Sequence, residues 1–280
     1  MRPSCLLATI PSVFALTLAA GCAFRMSWND PDVWVEQSET FDIAAGNVDH
    51  LVVVTANGAI TVRAAPAGSD TVHVTAMKRA GGDDEADARA AMAALNVTRR
   101  VDGNVVELGT EWTGAARDDG CASVAFDVTL PARFSARLES HNGACTATGL
   151  DGALEVVSHN GRLDVDCASE RVAATTHNGA IEYRGPARDL QLETHNGEVR
   201  AALTGGPVNG QITSYNGAIL VDAADSARGT IEGETRNGRV SVRGARRDLS
   251  IRDDWFRVEF TDAAAGRLEV VTHNGAIEVR

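Results

Sequence analysis

The sequence predicts an all-β protein, a single-stranded β-solenoid (parallel β-helix) of about 12 rungs with one short inserted α-helix. Two observations lead to this prediction. A four-residue phrase, Ser/Thr-x-Asn-Gly, recurs along the chain, and apolar and polar residues alternate on both sides of it. Alternation with a period of two is typical of a strand with one buried face. A repeat of nearly fixed length is typical of a solenoid, in which each rung stacks on the one before.

The composition is that of a folded, acidic protein. Hydrophobic residues make up 44% of the 280 residues and charged residues 23%, which is typical of a globular chain. The 26 Lys and Arg residues against 38 Asp and Glu residues give a formal net charge of −12. Because the chain has no basic field to neutralise phosphates, we do not expect it to bind nucleic acid, or to adsorb to anionic lipid through surface charge.

The segment 1–21 is predicted to be a lipoprotein signal peptide. Arg2 supplies a positive start, and the apolar run at 6–18 is shorter than the roughly 20 residues that cross a bilayer. The residues Leu-Ala-Ala-Gly before Cys22 resemble the bacterial lipobox, in which the Cys receives the lipid. An ordinary secretory signal, or a short buried helix, is the alternative. The resemblance implies a lipid anchor in the cell envelope, and Ala23 fits the outer membrane, on its periplasmic or surface face.

The rest of the chain divides into a tether with an N-terminal cap at 22–38 and the solenoid at 39–280. The Asn residues at positions 142, 160, 178 and 196 are 18 residues apart, and the next steps are 20 and 21 residues. The last step is 37 residues, which leaves room for one degenerate copy near Asp253. The predicted structural corners are the Asn-Gly pairs of the eight copies: Asn57 and Gly58, Asn142 and Gly143, Asn160 and Gly161, Asn178 and Gly179, Asn196 and Gly197, Asn216 and Gly217, Asn237 and Gly238, and Asn274 and Gly275.

Asn-Gly also favours tight antiparallel hairpins, so a ladder of hairpins is the alternative topology. The solenoid is favoured because the copies resemble one another in register, as stacked rungs must. We expect the Ser/Thr and Asn columns to point inward at the corner, with Asn amides bonded from rung to rung. We expect Gly to supply the positive φ that the corner demands.

Between Gly58 and Gly143 the repeat fades, and a helix is predicted at about 83–96. Asp83 and Asp84 precede an Ala-rich run, and acidic residues there suit the positive end of the helix dipole. Such a helix would cover a sheet edge or pack on a sheet face.

The chain is similar to the bacterial putative-adhesin β-solenoid family, whose domain has no known function and often occurs on lipoproteins. The resemblance rests on Thr40-Phe41-Asp42-Ile43 with the strands at 51–62, on the inserted helix, and on the repeated Asn-Gly-x-Ile/Val-x-Val phrase. It covers about 39–280. The resemblance implies an extracytoplasmic β-helix, and it transfers no set of catalytic residues.

One position of the phrase is rich in histidine. Five of the seven His residues lie between the Ser/Thr and the Asn. We expect this position to face outward, so that four consecutive rungs would show a stripe of imidazoles at about 4.8 Å spacing. The candidate ligand or metal face consists of His141, His159, His177 and His195.

The stripe has two interpretations. In the first, the stripe is a face that binds a metal or an anion or responds to pH, and Glu139 and Glu193 would join a metal site there. In the second, it is a ladder of stacked rings that binds no metal. We favour the ladder, because Tyr215 and Arg236 occupy the same position in other copies and neither suits zinc.

Three cysteines follow the predicted lipidation site. Cys167 lies four residues beyond the position equivalent to Cys145, about 13 Å along a strand, so these two are out of disulfide reach. Cys121 and Cys145 are therefore the candidate disulfide, with buried free thiols as the alternative.

No catalytic residue and no cofactor are predicted. Solenoids that cleave acidic polysaccharides need carboxylates with a Lys or Arg base in a groove. Asp164 and Asp166 are candidate carboxylates, but alternate acids on a strand are ordinary, and the single lysine, Lys78, lies outside the repeat. No nucleophile, phosphate loop or Cys/His metal spacing stands out.

The sequence thus predicts a non-catalytic, lipid-anchored cell-envelope β-solenoid that serves as a structural or interaction (adhesin-like) surface. Its expected partners are the membrane, through the lipid anchor, and an envelope protein or a glycan. The alternatives are a polysaccharide-active β-helix enzyme, and an envelope protein that binds a metal or small ligand with the His stripe.

Overall fold

The computed structural model describes residues 31–113, 121–243 and 248–280, so the predicted signal peptide at 1–21 and the lipidation site Cys22 lie outside the described residues. Within them the all-β prediction is confirmed, with one short α-helix, α1 (Glu85–Ala94), and one 3-10 turn (Ala263–Ala265). The strands are β1 (Val33–Ala44), β2 (His50–Thr55), β3 (Ile60–Ala64), β4 (Thr71–Gly82), β5 (Leu95–Asp102), β6 (Val105–Trp112), β7 (Ala122–Leu130), β8 (Ser135–Ser140), β9 (Cys145–Thr148), β10 (Leu154–Ser158), β11 (Leu163–Asp166), β12 (Arg171–Thr176), β13 (Ile181–Gly185), β14 (Asp189–Thr194), β15 (Val199–Leu203), β16 (Gly206–Pro207), β17 (Gly210–Ser214), β18 (Ile219–Ala223), β19 (Ala227–Arg228), β20 (Thr230–Thr235), β21 (Val240–Val242), β22 (Asp248–Ile251), β23 (Trp255–Glu259), β24 (Arg267–Thr272) and β25 (Ile277–Val279).

Most strands belong to two large sheets. Sheet A has the order β1-β4-β7-β3-β9-β11-β13-β15-β18-β25-β21, and sheet B the order β22-β23-β20-β24-β17-β14-β12-β10-β8-β2-β6-β5. Through the repeat, the strand before each Asn-Gly pair lies in sheet B and the strand after it lies in sheet A. β16 and β19 pair separately, as a two-stranded sheet.

Each copy of the phrase therefore joins one strand of sheet B to one strand of sheet A, and we call this unit a layer. Neighbouring layers pair in parallel: Leu154 of β10 lies opposite Val172 of β12, and Leu163 of β11 lies opposite Ile181 of β13. Since the strands flanking each Asn-Gly pair are in different sheets, the alternative ladder of antiparallel hairpins is wrong.

The spatial order of the layers departs from the chain order near the C-terminus. β24 lies between β17 and β20, and β25 lies between β18 and β21. The last copy of the phrase therefore sits between the sixth and the seventh. Eight layers carry the phrase in the described part of the chain, and the predicted count of about 12 rungs is not confirmed.

The stretch near Asp253 is an antiparallel hairpin, not the degenerate copy that the spacing predicted. β22 and β23 pair with each other, and β23 pairs antiparallel with β20, which extends sheet B. Phe256 and Val258 of this hairpin are fully buried, whereas Leu249 and Ile251 on its outer strand are 43% and 48% exposed. The hairpin thus covers one end of the core.

The opposite end is also built from antiparallel strands. β1, β4 and β7 pair in this way in sheet A, and β5 pairs with β6 in sheet B. β1 crosses the predicted domain boundary at 38, because residues 33–38 of the predicted tether and cap are already part of the sheet.

The helix α1 packs on β4 and β1 at this end. Its first turn is capped by Asp84, whose side chain accepts a hydrogen bond from the backbone N–H of Asp87 at 2.9 Å. Ala88 and Met92 form its buried face. In the part of the chain that the structure describes, no helix is long and apolar enough to cross a bilayer.

The single lysine lies buried beside this helix. Lys78 of β4 is 7% exposed. Its Nζ is 2.9 Å from a carboxylate oxygen of Glu39 in β1 and donates a hydrogen bond to the carbonyl of Leu95 at 3.2 Å. The ammonium group therefore ties β1 and β4 of sheet A to the start of β5 in sheet B.

The hydrophobic core is a thin layer between the two sheets. Alternate residues of each strand point into it, such as Leu154 and Val156 from sheet B and Leu163 and Val165 from sheet A, all at most 2% exposed. Each fully buried side chain of this size contributes roughly 1.5–3 kcal/mol relative to exposure. The core is therefore a sum of similar contributions from successive layers.

Glycine at the corner is required by the close approach of neighbouring layers. A Cβ atom on Gly179 would lie 1.9 Å from the carbonyl oxygen of Gly161, and the corresponding distances in the other copies are 1.8–2.1 Å. Among the corner glycines only Gly58 has a positive φ, 156°. The expectation of a positive φ is therefore wrong for the other seven.

We expect Gly179→Ala to lower the free energy of unfolding by about 3 kcal/mol, because the methyl group would overlap a backbone carbonyl. Gly46→Ala is the matched control, since a Cβ atom there meets nothing within 4 Å, and it should change stability by less than about 1 kcal/mol. Urea denaturation followed by circular dichroism measures both values. Equal stability of the two variants would contradict the close approach.

Candidate functional site

The corner of each layer carries three columns of side chains, and the innermost is a column of hydroxyls. The Ser and Thr residues of the phrase are at most 3% exposed. Each donates a hydrogen bond to a backbone carbonyl of the neighbouring layer, as Thr176 does to Gly161 at 3.0 Å, except Thr55, which donates to Val124 of β7. The donor–acceptor distances are 2.9–3.1 Å in all eight copies. The hydroxyls therefore bind each layer to the next.

The second column is a continuous ladder of Asn amides. The Nδ2 of each Asn except Asn57 donates to the Oδ1 of the Asn in the adjacent layer at 2.7–2.8 Å. These side chains are exposed, except for the partly buried Asn57. The expectation that they point inward is wrong, because the hydroxyls occupy the buried position. In space the ladder runs through Asn57, Asn142, Asn160, Asn178, Asn196, Asn216, Asn274 and Asn237.

The third column consists of stacked rings. Adjacent ring centroids are 4.6–4.9 Å apart and adjacent planes differ by 4–20°. The structure brings the four candidate histidines together and adds two rings, because the C-terminal layer places His273 beside Tyr215. The sequence indicates that His273 belongs to this column, because His273 lies in the same Thr-His-Asn-Gly phrase as His177 and His195. The ring column is His141, His159, His177, His195, Tyr215 and His273.

The ring column and the Asn ladder together form a surface that we call the corner strip. In the described residues no ring nitrogen of the column has a hydrogen-bond partner within the protein. Each inner Asn uses one N–H and one oxygen lone pair in the ladder, which leaves one further N–H and one lone pair. Every histidine-bearing layer of the strip therefore offers unused donors and acceptors to a partner.

The geometry of the stacked rings does not favour a metal centre. Parallel rings hold their nitrogens in separate planes, so the lone pairs do not converge on one point as the tetrahedral ligands of zinc do. Glu139, one of the two glutamates that would join a metal face, forms an ion pair with Arg137 at 3.1 Å. In the ranges that the structure describes, no three His, Cys, Asp or Glu side chains come together in a way that would hold a metal ion.

The candidate carboxylates Asp164 and Asp166 lie on the outward face of sheet A, in β11, the strand that follows Asn160 and Gly161. They line a shallow depression of about 290 Å³. Across neighbouring strands, Asp166 lies opposite Arg184, so acidic and basic side chains face each other. Sequence reasoning missed the basic members, because only the register shows which residues become neighbours. The other charged residues of the depression are Glu182, Arg200 and Asp222.

The structure does not form the candidate disulfide. Cys145 and Cys167 are buried free thiols, and burial raises the pKa of Cys145 to about 12 and that of Cys167 to about 11. Cys145 and Phe126 flank Ile60 on opposite sides of β3. Cys121 lies five residues before Phe126, about 16 Å along a strand, so Cys121 and Cys145 are too far apart to bond.

No family model and no curated protein matches this chain. Among solved structures it is similar to a putative adhesin from Bacteroides fragilis, with 13% identity, a TM-score of 0.42, and coverage of 87% of this chain and 97% of that one. It is similar to a putative cell adhesion protein from Clostridium sporogenes, with 10% identity, a TM-score of 0.37, and coverage of 88% and 99%. It is also similar to a putative adhesin from Parabacteroides merdae, with 12% identity, a TM-score of 0.30, and coverage of 87% of this chain and 96% of that one.

We expect Asn178→Ala to destabilise the fold by about 1 kcal/mol, because it removes two ladder hydrogen bonds between exposed groups. Asn237→Ala, at the end of the ladder, removes one and should cost about half as much. Urea denaturation of both variants measures the difference. A larger effect at the end of the ladder than in its middle would contradict a continuous ladder.

Zinc titrated into the protein should show no tight stoichiometric binding, because the ring nitrogens do not converge. Isothermal titration calorimetry is the measurement. Submicromolar affinity that disappears in His159→Ala and His177→Ala would restore the metal interpretation.

Proposed function

We propose that this protein is a non-catalytic, lipid-anchored β-solenoid of the cell envelope that serves as an adhesin-like interaction surface. The parallel, in-register pairing of the layers supports a solenoid, with eight layers that carry the phrase instead of about 12 rungs. The lipobox-like residues before Cys22 support the anchor. The resemblance to the putative-adhesin family supports a role at the envelope.

The corner strip is the observation that carries the proposal. It repeats one kind of contact from layer to layer, at the 4.6–4.9 Å spacing of the rings. A partner with its own repeat would make the same weak contact several times, and linked weak contacts give strong overall binding. A catalytic centre instead needs one arrangement of groups that differs from its surroundings.

The chemistry of the strip favours a glycan as the partner. Imidazole rings and Asn amides offer hydrogen-bond donors and acceptors, which suit the hydroxyl groups of a sugar. The net charge of −12 disfavours an acidic polymer. The strip is therefore proposed to bind an uncharged glycan, with an envelope protein as the other candidate partner.

A polysaccharide-active enzyme is the second candidate function, and the depression on sheet A favours it. The two carboxyl groups of a glycosidase take different roles because their environments differ. Asp164 lies opposite Glu182 and Asp166 opposite Arg184, but neither aspartate is buried. The general acid of a glycosidase needs a buried, apolar setting, so the non-catalytic surface is the better proposal.

The test compares two variants of matched size in their binding to immobilised envelope polysaccharides. The strip variant carries alanine at His141, His159, His177 and His195, and should bind at least tenfold more weakly than the native chain. The control variant carries alanine at Thr61, Thr146, Gln191 and Gln211, whose side chains lie on the sheet faces, and should bind normally. Circular dichroism checks that both variants fold.

Two outcomes would reject the proposal. One is equal binding by the strip and control variants. The other is release of reducing sugar ends by the native chain that Asp164→Asn or Asp166→Asn abolishes, which would establish the enzyme.

A further inference from the structure

The last 14 residues form a layer that is inserted out of chain order. Residues 267–280, which we call the C-terminal arm, comprise β24 and β25. The arm fills a slot between the layer of β17 and β18 and the layer of β20 and β21. Its inward side chains, Leu268, Val270, Ile277 and Val279, are all 0% exposed. Residues 267–280 therefore contribute to the core.

Both edges of the arm are hydrogen-bonded to the slot. On one side the N–H of His273 donates to the carbonyl of Ser214 at 3.2 Å, and on the other side the N–H of Arg236 donates to the carbonyl of Thr272 at 3.3 Å. Asn274 completes the ladder between its two neighbours at 2.7 and 2.8 Å. An empty slot would expose unpaired strand edges on both sides, which are natural templates for another strand.

The arm is joined to the rest of the chain by a surface hinge at 261–266. Asp262 in this hinge is exposed and has φ 57° and ψ 69°. It is the one non-Gly residue with a positive φ in the described residues, and L-residues adopt this left-handed conformation at an energetic cost. The closed position of the arm therefore requires the left-handed conformation at Asp262. An extended hinge would not require it.

We propose that the slot is a strand-exchange site whose partner is the C-terminal arm of a second copy of this chain. An arm from another copy would form the same backbone hydrogen bonds, the same ladder bonds and the same core contacts as the chain's own arm. The exchanged and closed forms differ only in the hinge and in the association of two chains. The balance between them is therefore set by protein concentration and by the conformation of Asp262.

The arm carries its own recognition pattern. Its apolar positions, its buried Thr272 and its Asn274 match the columns of the layers on both sides of the slot. A one-residue shift would turn the apolar side chains outward, so the slot selects the phrase in one register. This selectivity does not depend on the ligand proposed for the corner strip.

The first test uses the full chain, purified in detergent, with Thr213→Cys and Val271→Cys. These residues lie directly opposite each other in β17 and β24 and are partly exposed, within the separation that a disulfide spans. In the closed form the new disulfide lies within one chain, and in the exchanged form it joins two chains. We expect covalent dimers on a non-reducing gel to increase with the protein concentration during oxidation, and the native chain to show none.

The hinge provides matched variants on this double-cysteine background. Glu259 and Arg267 lie on opposite sides of Thr230, about 9.6 Å apart. Deletion of 261–266 leaves only Phe260 between them, which spans at most about 7 Å. The arm then cannot reach its own slot, and the dimer fraction should rise at least tenfold. Asp262→Gly permits the closed hinge without cost and should lower the dimer fraction.

One result would overturn the proposal. It is a disulfide that stays within one chain at every concentration, in both the full-hinge protein and the deletion variant. Because glycan binding is measured separately, failure here leaves the proposed function intact, and loss of glycan binding leaves exchange intact.

Discussion

The distance of closest approach between adjacent layers at the corner is the constraint on which the structure depends. The carbonyl oxygen of one corner glycine occupies the space that a Cβ atom would need on the next, as between Gly161 and Gly179. This contact fixes the position of every following side chain. The hydroxyl of Thr176 reaches the same carbonyl, the amide of Asn178 reaches its neighbour, and the ring of His177 stacks between two others. The corner strip is thus a direct consequence of backbone packing.

The exposed ion pairs contribute to register more than to stability. Arg137 pairs with Glu155 at 2.5 Å and Arg171 with Asp189 at 2.7 Å, each between consecutive layers of sheet B. Exposed pairs of this kind contribute roughly 0–1 kcal/mol each. A layer displaced by one residue would turn its apolar residues outward, whereas a layer displaced by two residues would keep them inward and lose these charged partners. The charges therefore help to exclude wrong pairings that the uniform aliphatic columns would tolerate.

The sequence was sufficient to predict the strands, the helix and the existence of columns, because alternation and a repeated phrase are local signals. It predicted the four-histidine stripe for the same reason. It did not predict that His273 would join Tyr215, since the insertion of the last layer depends on which sheet edges are available in space. Inward Asn side chains were a wrong expectation, because the smaller hydroxyls fill the buried corner. The charged depression near Asp166 also required the register, which no single strand reveals.

Lys78 is the only lysine among the 26 basic residues, and its ammonium group lies in an ion pair at 7% exposure. The cations on the surface of the folded domain are therefore guanidinium groups. Reagents that acylate primary amines would find no accessible side chain on it. Transamidation and isopeptide formation through lysine are disfavoured for the same reason, the burial of the Lys78 amine. Covalent attachment of this domain to a matrix or a neighbouring molecule therefore has to use other side chains.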